Sequence, residues 1–175
     1  LNLPNHSINV EVRRMGGGFG GKESQSNILA CACALAAHLL NRPVRLVYDR
    51  DDDMKITGKR HDFLIKYKVG FQDSGKIDGI IFEHFLRCGM SYDLSKAIAG
   101  RAMMHSDNAY QIDNIQINSN LCKTNTPSNT AFRGFGGPQG MIGIERVMDH
   151  IAFYLKKNPT EIRKINFYQD SNKNK

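Results

Sequence analysis

The sequence has no long apolar segment and no closely paired cysteines. No apolar run approaches the roughly 18 residues that a helix needs to cross a bilayer, so we expect no membrane contact. None of the four cysteines forms a C-x-x-C pair; they are Cys31, Cys33, Cys88 and Cys122. This spacing argues against a zinc site, a Cys-ligated iron–sulfur cluster or a secreted disulfide scaffold within the chain. We therefore expect a reducing compartment, the cytoplasm, with the peroxisome as the alternative.

An initiator methionine and a leader are also missing. The chain begins at Leu1 without a basic-then-apolar stretch, so its 175 residues are expected to be an excerpt from a longer polypeptide. This length suits one domain or a compact piece of a larger chain. Hydrophobic residues make up 41% and charged residues 23%, which excludes disorder throughout and a collagen-like fibre.

The formal net charge of +7 is unevenly distributed. Residues 156–175 hold six basic and two acidic side chains, so +4 of the charge lies in this C-terminal stretch. No base-stacking aromatics are interleaved with these lysines, which favours a solvated basic tail over a nucleic-acid surface. A nucleic-acid-binding module is therefore only the third hypothesis, and we expect no nucleic-acid partner.

Apolar periodicity predicts an α+β fold, with a mixed sheet and packed helices. Strands are predicted at residues 8–13, 44–48, 63–71, 77–85 and 115–121. The polar turn at 72–76 should make the third and fourth of these a hairpin. Helices are predicted at 22–40, at 93–105 with Asp93 as the cap, from Pro138 to Leu155, and from Pro159. Residues 1–168 are expected to form one segment, followed by a frayed polar tail at 169–175.

Two glycine-rich loops repeat the same four residues. Gly18-Phe19-Gly20-Gly21 recurs as Gly134-Phe135-Gly136-Gly137, and each copy precedes a predicted helix. Glycine lets the backbone approach a ligand, and a helix N-terminus favours an anion. Either loop alone fits a simple tight turn equally well. The recurrence, with Arg133 beside the second copy, favours backbone cradles around one anionic or flat ligand.

The first loop also satisfies a dinucleotide-binding fingerprint. Gly16, Gly18 and Gly21 fit G-x-G-x-x-G between a predicted strand and a predicted helix. Asp49 ends the next predicted strand, where a ribose-binding carboxylate would sit, but it lies later in the sequence than the usual ~20 residues. A hairpin follows instead of a second βα unit. A dinucleotide-binding module is therefore an alternative hypothesis.

Two long motifs carry a family resemblance. Residues 14–23 (RMGGGFGGKE) and 122–140 (CKTNTPSNTAFRGFGGPQG), with 49–51, 56–58 and 60–61 between them, resemble the molybdenum-cofactor domain of the xanthine dehydrogenase/aldehyde oxidase family. The similarity covers about residues 10–168. It implies a molybdenum–molybdopterin cofactor, and in the full-length enzyme also two [2Fe–2S] clusters, FAD, and NAD as acceptor. A small-molecule purine substrate and a homodimer are implied as well.

The resemblance assigns cofactor contacts to three residues. Phe19 and Gly20 match the loop whose backbone lies against the molybdenum ligands, and Arg133 matches the arginine that contacts the cofactor. Phe19 and Arg133 would thus be near the metal through cofactor and backbone, and neither would be a side-chain ligand. A fixed guanidinium also suits a phosphate or an oxo group on physical grounds.

The resemblance likewise implies that Glu23 and Arg101 are catalytic and substrate-binding, orienting the purine and stabilising its developing charge. In a dry pocket a fixed guanidinium can contribute about 3 kcal/mol to such stabilisation. Phe135 matches the ring that stacks on the heterocycle, for which an aromatic face is suited. Taken singly, Glu23 equally fits an acid favoured in a first helical turn.

Glu23 and Arg101 also select a branch of the family. Aldehyde oxidases usually carry apolar residues at these two positions, so oxidative hydroxylation of xanthine or hypoxanthine is expected, with an aldehyde oxidase-type activity as the alternative. Asp62 departs from the family, which commonly has proline there. The family's general base and its iron–sulfur and flavin domains fall outside this segment, so the chain alone is expected to be inactive.

Overall fold

A computed structural model describes residues 1–169, and it confirms the α+β class. A short 3-10 turn at Asn5–Ser7 comes first. The elements that follow are α1 (Ser26–Leu40), α2 (Arg50–Ile56), β1 (Phe63–Phe71), β2 (Ile77–Gly89), α3 (Ser95–Met104), β3 (Ile115–Lys123), α4 (Gly137–Leu155) and α5 (Pro159–Asn166). From Asp170 onward, the predicted tail lies outside the described residues. Among residues 1–169, no helix has both the length and the apolar character needed to span a membrane.

The sheet has three strands in the order β1-β2-β3 and is mixed, as predicted. β1 and β2 form the antiparallel hairpin, with Tyr67 opposite Phe82. β2 and β3 run parallel, with Phe82 opposite Ile117. The crossover that contains α3 brings the chain back to the end of the sheet at which β2 began. The alternating burial along β2 shows that one face of this strand is covered while the other is open.

The main core lies between the sheet and α4. Apolar residues of α4 recur at helical spacing, and burying each one fully contributes about 1.5–3 kcal/mol. The buried members of this cluster are Ile77, Ile80, Phe82, Tyr110, Ile144, Val147, Met148, Ile151, Ala152 and Ile162. A second cluster joins the end of β2 to α3 and comprises Leu86, Cys88, Ile98 and Ala99. Phe135, from the second glycine loop, packs against this second cluster.

A polar network fixes α5 and the chain before β3 to α4. Tyr110 Oη donates to Glu145 Oε1 at 2.6 Å, and Arg163 Nε donates to Glu145 Oε2 at 2.8 Å. Arg163 also reaches Asp149 at 2.8 Å. Burial and the neighbouring Glu145 raise the pKa of Tyr110 to about 12. Burial opposes ionisation of Glu145, but its hydrogen bonds outweigh burial, so the pKa of Glu145 is lowered.

The N-terminal part of the chain departs from the prediction. The strands expected at residues 8–13 and 44–48 are absent from the described structure, and both segments are mostly exposed. An alternating sequence becomes a strand only when another strand pairs with it. The helix expected at 22–40 is present as α1, although it starts at Ser26 and buries none of its residues. Along the chain, the first buried residue is His61.

Candidate site at the two glycine loops

The two glycine loops share the backbone conformation of their second and third residues as well as a sequence, although Gly134 has a positive φ and Gly18 does not. Phe19 and Phe135 both have φ of 48°, and the glycines that follow them, Gly20 and Gly136, have φ of 91° and 93°. This left-handed region is uncommon for phenylalanine and easily adopted by glycine. The repeat seen in the sequence is therefore in part a repeated local structure. α1 begins at Ser26, after the first copy, and α4 begins at Gly137, the last residue of the second copy.

Close packing places the loops near each other and near α3. A Cβ added to Gly20 would lie 3.2 Å from the carbonyl carbon of Ala131, which is two residues before Arg133. A Cβ added to Gly136 would overlap the carbonyl oxygen of Ile98 on α3. The first loop thus abuts the segment leading into the second loop, and the second loop abuts the helix that carries Arg101.

At two glycines in or just before the first loop, neither backbone conformation nor close packing within the described chain requires a glycine. Gly16 and Gly18 lie outside the left-handed region, and a Cβ added to either would meet nothing within 4 Å. Their backbone is therefore open to approach from outside the described residues. Neither α1 nor α4 has a side-chain cap, although several backbone N–H groups of their first turns donate to nearby backbone carbonyls. An open backbone beside two uncapped helix starts fits an anionic, pterin-like group that lies against the main chain.

The predicted polar site residues are exposed. Glu23, Arg101 and Arg133 are all exposed, and within residues 1–169 their side chains take part in no hydrogen bond or salt bridge. Phe19 is 62% exposed. Phe135 differs, because it is half-buried against the second apolar cluster. Three ionisable groups are thus available to a ligand, and the two phenylalanines of the repeat have different surroundings.

Side chains that sequence reasoning missed hold the first loop in place. Ser24 Oγ donates to Asp93 Oδ1 at 2.5 Å and lies 3.4 Å from Thr130 Oγ1. Gln25 accepts from the backbone N–H of Gly58 at 3.2 Å. Asp93 was expected to cap α3, which is wrong: Leu94 holds the cap position, without a side-chain hydrogen bond, and Asp93 adopts a φ of 42°. No local signal distinguishes such a residue from a cap, because its partner lies 69 positions away.

The second loop is supported by an arginine from the chain before β1. Arg60 lies over the Phe132 ring, 4.5 Å from its centroid, and donates through Nη2 to the carbonyl of Arg133 at 2.7 Å. The adjacent His61 is buried, with its Nε2 2.7 Å from Ser95 Oγ at the start of α3. Burial lowers the pKa of His61, against the charge of Asp93, which favours the protonated form. These contacts fix the backbone beside Arg133.

The structure does not provide the context that the dinucleotide fingerprint needs. The strand expected before Gly16 is not formed, and β1, β2 and β3 all follow the loop in sequence. Asp49 does not end a strand; its carboxylate caps α2 by accepting from the N–H of Asp52 at 2.8 Å. The dinucleotide-binding hypothesis therefore lacks its structural basis.

The site residues form an open surface within the described part of the chain. Two shallow surface depressions lie elsewhere, around Phe153 and Tyr154 at the far end of α4. Across residues 1–169, no group of three or more His, Cys, Asp or Glu side chains is arranged to hold a metal ion. These residues can contribute one wall of a binding site, which consists of exposed loop backbone, the guanidinium groups of Arg101 and Arg133, and the carboxylate of Glu23.

The fold and this wall define a domain that presents two glycine loops to a flat, anionic ligand. The chain matches the molybdopterin cofactor-binding domain over residues 1–167, and it belongs to that family.

Known proteins similar to the chain agree with this assignment. Xanthine dehydrogenase from Oryza sativa subsp. japonica is 51% identical over 170 residues, and xanthine dehydrogenase/oxidase from Rattus norvegicus is 52% identical over 170 residues. Each alignment covers 97% of this chain, but the chain spans only 12% and 13% of those relatives. Among solved structures, aldehyde oxidoreductase from Desulfovibrio gigas is similar with a TM-score of 0.80 and 31% identity, covering 90% of this chain and 17% of that one.

Proposed function

We propose that this chain is a segment of a molybdenum hydroxylase that binds the molybdenum–molybdopterin cofactor between its two glycine loops. The observation that carries the proposal is the open backbone at Gly16 and Gly18, which neither conformation nor packing explains. Phe19 and Gly20 would present the first loop to the cofactor, and Arg133 would hold an anionic group of it. When bound, this group supplies the two-electron oxidation that hydroxylation of a ring carbon requires.

We infer that the substrate is xanthine or hypoxanthine. The carboxylate of Glu23 can pair with ring nitrogens or an exocyclic oxygen and so orient the ring. The guanidinium of Arg101 can stabilise negative charge that builds on the heterocycle. The ring of Phe135 offers a face to a flat purine. Support comes from the free state of both charged side chains in the structure and from the two xanthine dehydrogenases of about 50% identity.

The remaining attributes concern the longer polypeptide. We propose that it also carries two [2Fe–2S] clusters and FAD, uses NAD as acceptor, forms a homodimer and acts in the cytoplasm. The names of the relatives support the class of enzyme, because they describe dehydrogenases and oxidases of xanthine. The isolated 175 residues are expected to show no turnover, and activity of this segment alone would contradict that expectation.

An Arg101→Met substitution in the full-length protein tests the substrate. We expect xanthine turnover to fall by about 100-fold or more, since removing one charge-stabilising donor typically costs that much. Turnover of an aromatic aldehyde should change far less. Arg146→Met is the matched control, because Arg146 is an exposed helical arginine on α4, remote from both loops. Molybdenum content, measured on each variant, should equal that of the unmodified protein.

An aldehyde oxidase-type activity is the second candidate. The observation that favours it is the structural likeness to the Desulfovibrio gigas aldehyde oxidoreductase. Equal losses on xanthine and aldehyde in the Arg101→Met variant, or aldehyde turnover that exceeds xanthine turnover in the unmodified protein, would favour this candidate over the first.

A further inference from the structure

The first glycine loop and α1 are joined to the rest of the described chain by few polar contacts. Four hydrogen bonds connect residues 1–49 with residues 57–169, and each involves the side chain of Ser24 or Gln25. The shortest joins Ser24 Oγ to Asp93 Oδ1 at 2.5 Å. Because Glu23 directly precedes Ser24, the place of Glu23 depends on this contact.

Asp93 has two features that are unusual for a residue outside a site. Its φ of 42° lies in the left-handed region, which persists in a non-glycine residue where the surroundings fix it. Its Oδ2 atom is buried and has no hydrogen-bond partner within residues 1–169. The carboxylate nevertheless accepts from Ser24, and a hydrogen bond to an ionised acceptor is stronger than one between neutral groups.

The other side of the site is fixed independently of Ser24. α3 begins two residues after Asp93, and Ser95 at its start is held by buried His61. Further along, the backbone of α3 packs against Gly136 so closely that a Cβ there would overlap the Ile98 carbonyl. Arg101 therefore keeps its place through the α3–α4 contact, whereas Glu23 is held by the contact of Gly20 with Ala131 and by the hydrogen bonds of Ser24 and Gln25.

We propose that Asp93 is a positioning residue, which through Ser24 sets the distance between Glu23 on the first loop and Arg101 on α3. The part of this inference that concerns how Glu23 and Arg101 hold a purine rests on the proposed function. The structural part of it, the ordering of residues 18–25 by Asp93, does not depend on which substrate is used.

Four variants of the full-length protein separate this role from a general effect on folding. Ser24→Ala removes the donor, and Asp93→Gly removes the acceptor while leaving the positive φ easy to adopt. Asp93→Asn keeps an acceptor oxygen and a residue type that tolerates positive φ, so it should retain most of the order of residues 18–25 that Asp93→Gly loses. Ser26→Ala is the matched control, because within residues 1–169 the side chain of Ser26 makes one hydrogen bond, from Oγ to the carbonyl of Lys22 at 3.4 Å.

Hydrogen–deuterium exchange gives a readout other than activity. In Ser24→Ala and Asp93→Gly, the amides of residues 18–25 should exchange about tenfold faster, as expected on losing one charge-assisted hydrogen bond. The amides of residues 95–104 should keep their rates. Ser26→Ala should resemble the unmodified protein, and Asp93→Asn, which keeps a neutral acceptor, should exchange more slowly than Asp93→Gly. In the two disrupting variants, KM for xanthine should rise by more than kcat falls, with molybdenum content unchanged.

The outcomes are distinguishable. Unchanged exchange at residues 18–25 in Ser24→Ala would overturn the proposal, and this variant decides the matter if Asp93→Gly does not fold. Faster exchange with an unchanged KM for xanthine would overturn the part that concerns Glu23 and Arg101. If the unmodified protein does not turn over xanthine, the proposed function fails, while the exchange data still show whether Asp93 orders the first loop.

Discussion

Two loop–helix units of this chain share a sequence motif but differ in what they bury. The first consists of residues 18–21 and α1, and the second of residues 134–137 and α4. The loops match to within 2° in φ at Gly20 and Gly136, yet α1 buries no residue, whereas α4 buries nine. Leu39 of α1 is 73% exposed, and Ile144 of α4 is fully buried.

The difference separates local from tertiary causes of structure. A four-residue motif that includes three glycines can set much of its own backbone, so both copies have the same left-handed φ at the phenylalanine and at the glycine after it. Burial depends on what lies opposite, and the sheet covers α4 but not α1. Most helical stability in proteins comes from such packing. The second unit is therefore held by a core, and the first by the side chains of Ser24 and Gln25.

The largest expected difference between the units is in core truncation. Ile144→Ala should lower the free energy of unfolding of the 175-residue chain by about 2–5 kcal/mol, because it leaves a cavity under α4. Leu39→Ala in α1 should change it by no more than about 0.5 kcal/mol, since the side chain is mostly solvated. Urea denaturation followed by circular dichroism measures both. Equal losses of unfolding free energy in the two variants would show that α1 is packed in solution, and the two units would then not differ in burial.

Glycine substitutions should give a smaller difference. Gly136→Ala introduces a Cβ that overlaps the Ile98 carbonyl at a positive φ, so we expect a loss of about 2 kcal/mol or more. Gly18→Ala meets nothing within 4 Å and should leave unfolding unchanged to about 0.5 kcal/mol. In the full-length protein, however, Gly18→Ala should reduce molybdenum content. Full molybdenum retention in that variant would count against an approach of the cofactor to this loop.

The smallest expected effect is on pH dependence. His84 is fully buried beneath the second unit, and burial lowers its pKa below the unfolded value of about 6.5. The unfolded chain then binds the proton more readily, so stability present above pH 6.5 is lost as pH falls toward the folded pKa. His84→Gln should reduce the slope of the unfolding free energy against pH by at most about 1.4 kcal/mol per pH unit. Exposed His38 of α1 is the control, and an equal change in His38→Gln would refute the assignment.

Much of the chain from β1 to α5 could be predicted from the sequence. The hairpin, α3, β3 and α4 each have a periodic apolar pattern whose burial agrees with the structure, and Pro159 marks the start of α5. In these elements the local sequence pattern and the tertiary packing favour the same secondary structure, which is why the prediction from the sequence succeeds. The glycine repeat was predictable as a motif, and its shared backbone conformation follows from composition.

The segments before β1, together with Asp93, show where such reasoning stops. Residues 8–13 and 44–48 have the composition of strands, but among the described residues no strand pairs with them. Asp49 and Asp93 have the residue type of a cap, and only Asp49 acts as one. Ser24 and Asp93 meet across 69 positions of sequence, a pairing that no short-range pattern encodes. The assigned roles of Glu23, Arg101, Arg133 and Phe135 stay predictions.

The two ends of α4 are both anchored, which has a structural consequence. The helix begins directly at the second glycine loop, and after it ends Lys157 donates to the carbonyls of Asp73 and Ser74 in the β1–β2 turn. Nineteen residues at about 1.5 Å per residue make a rod of roughly 28 Å. This rod joins the β1–β2 turn to the second glycine loop. The hairpin turn, although far from Arg133 in sequence, is therefore connected through α4 to the loop beside Arg133.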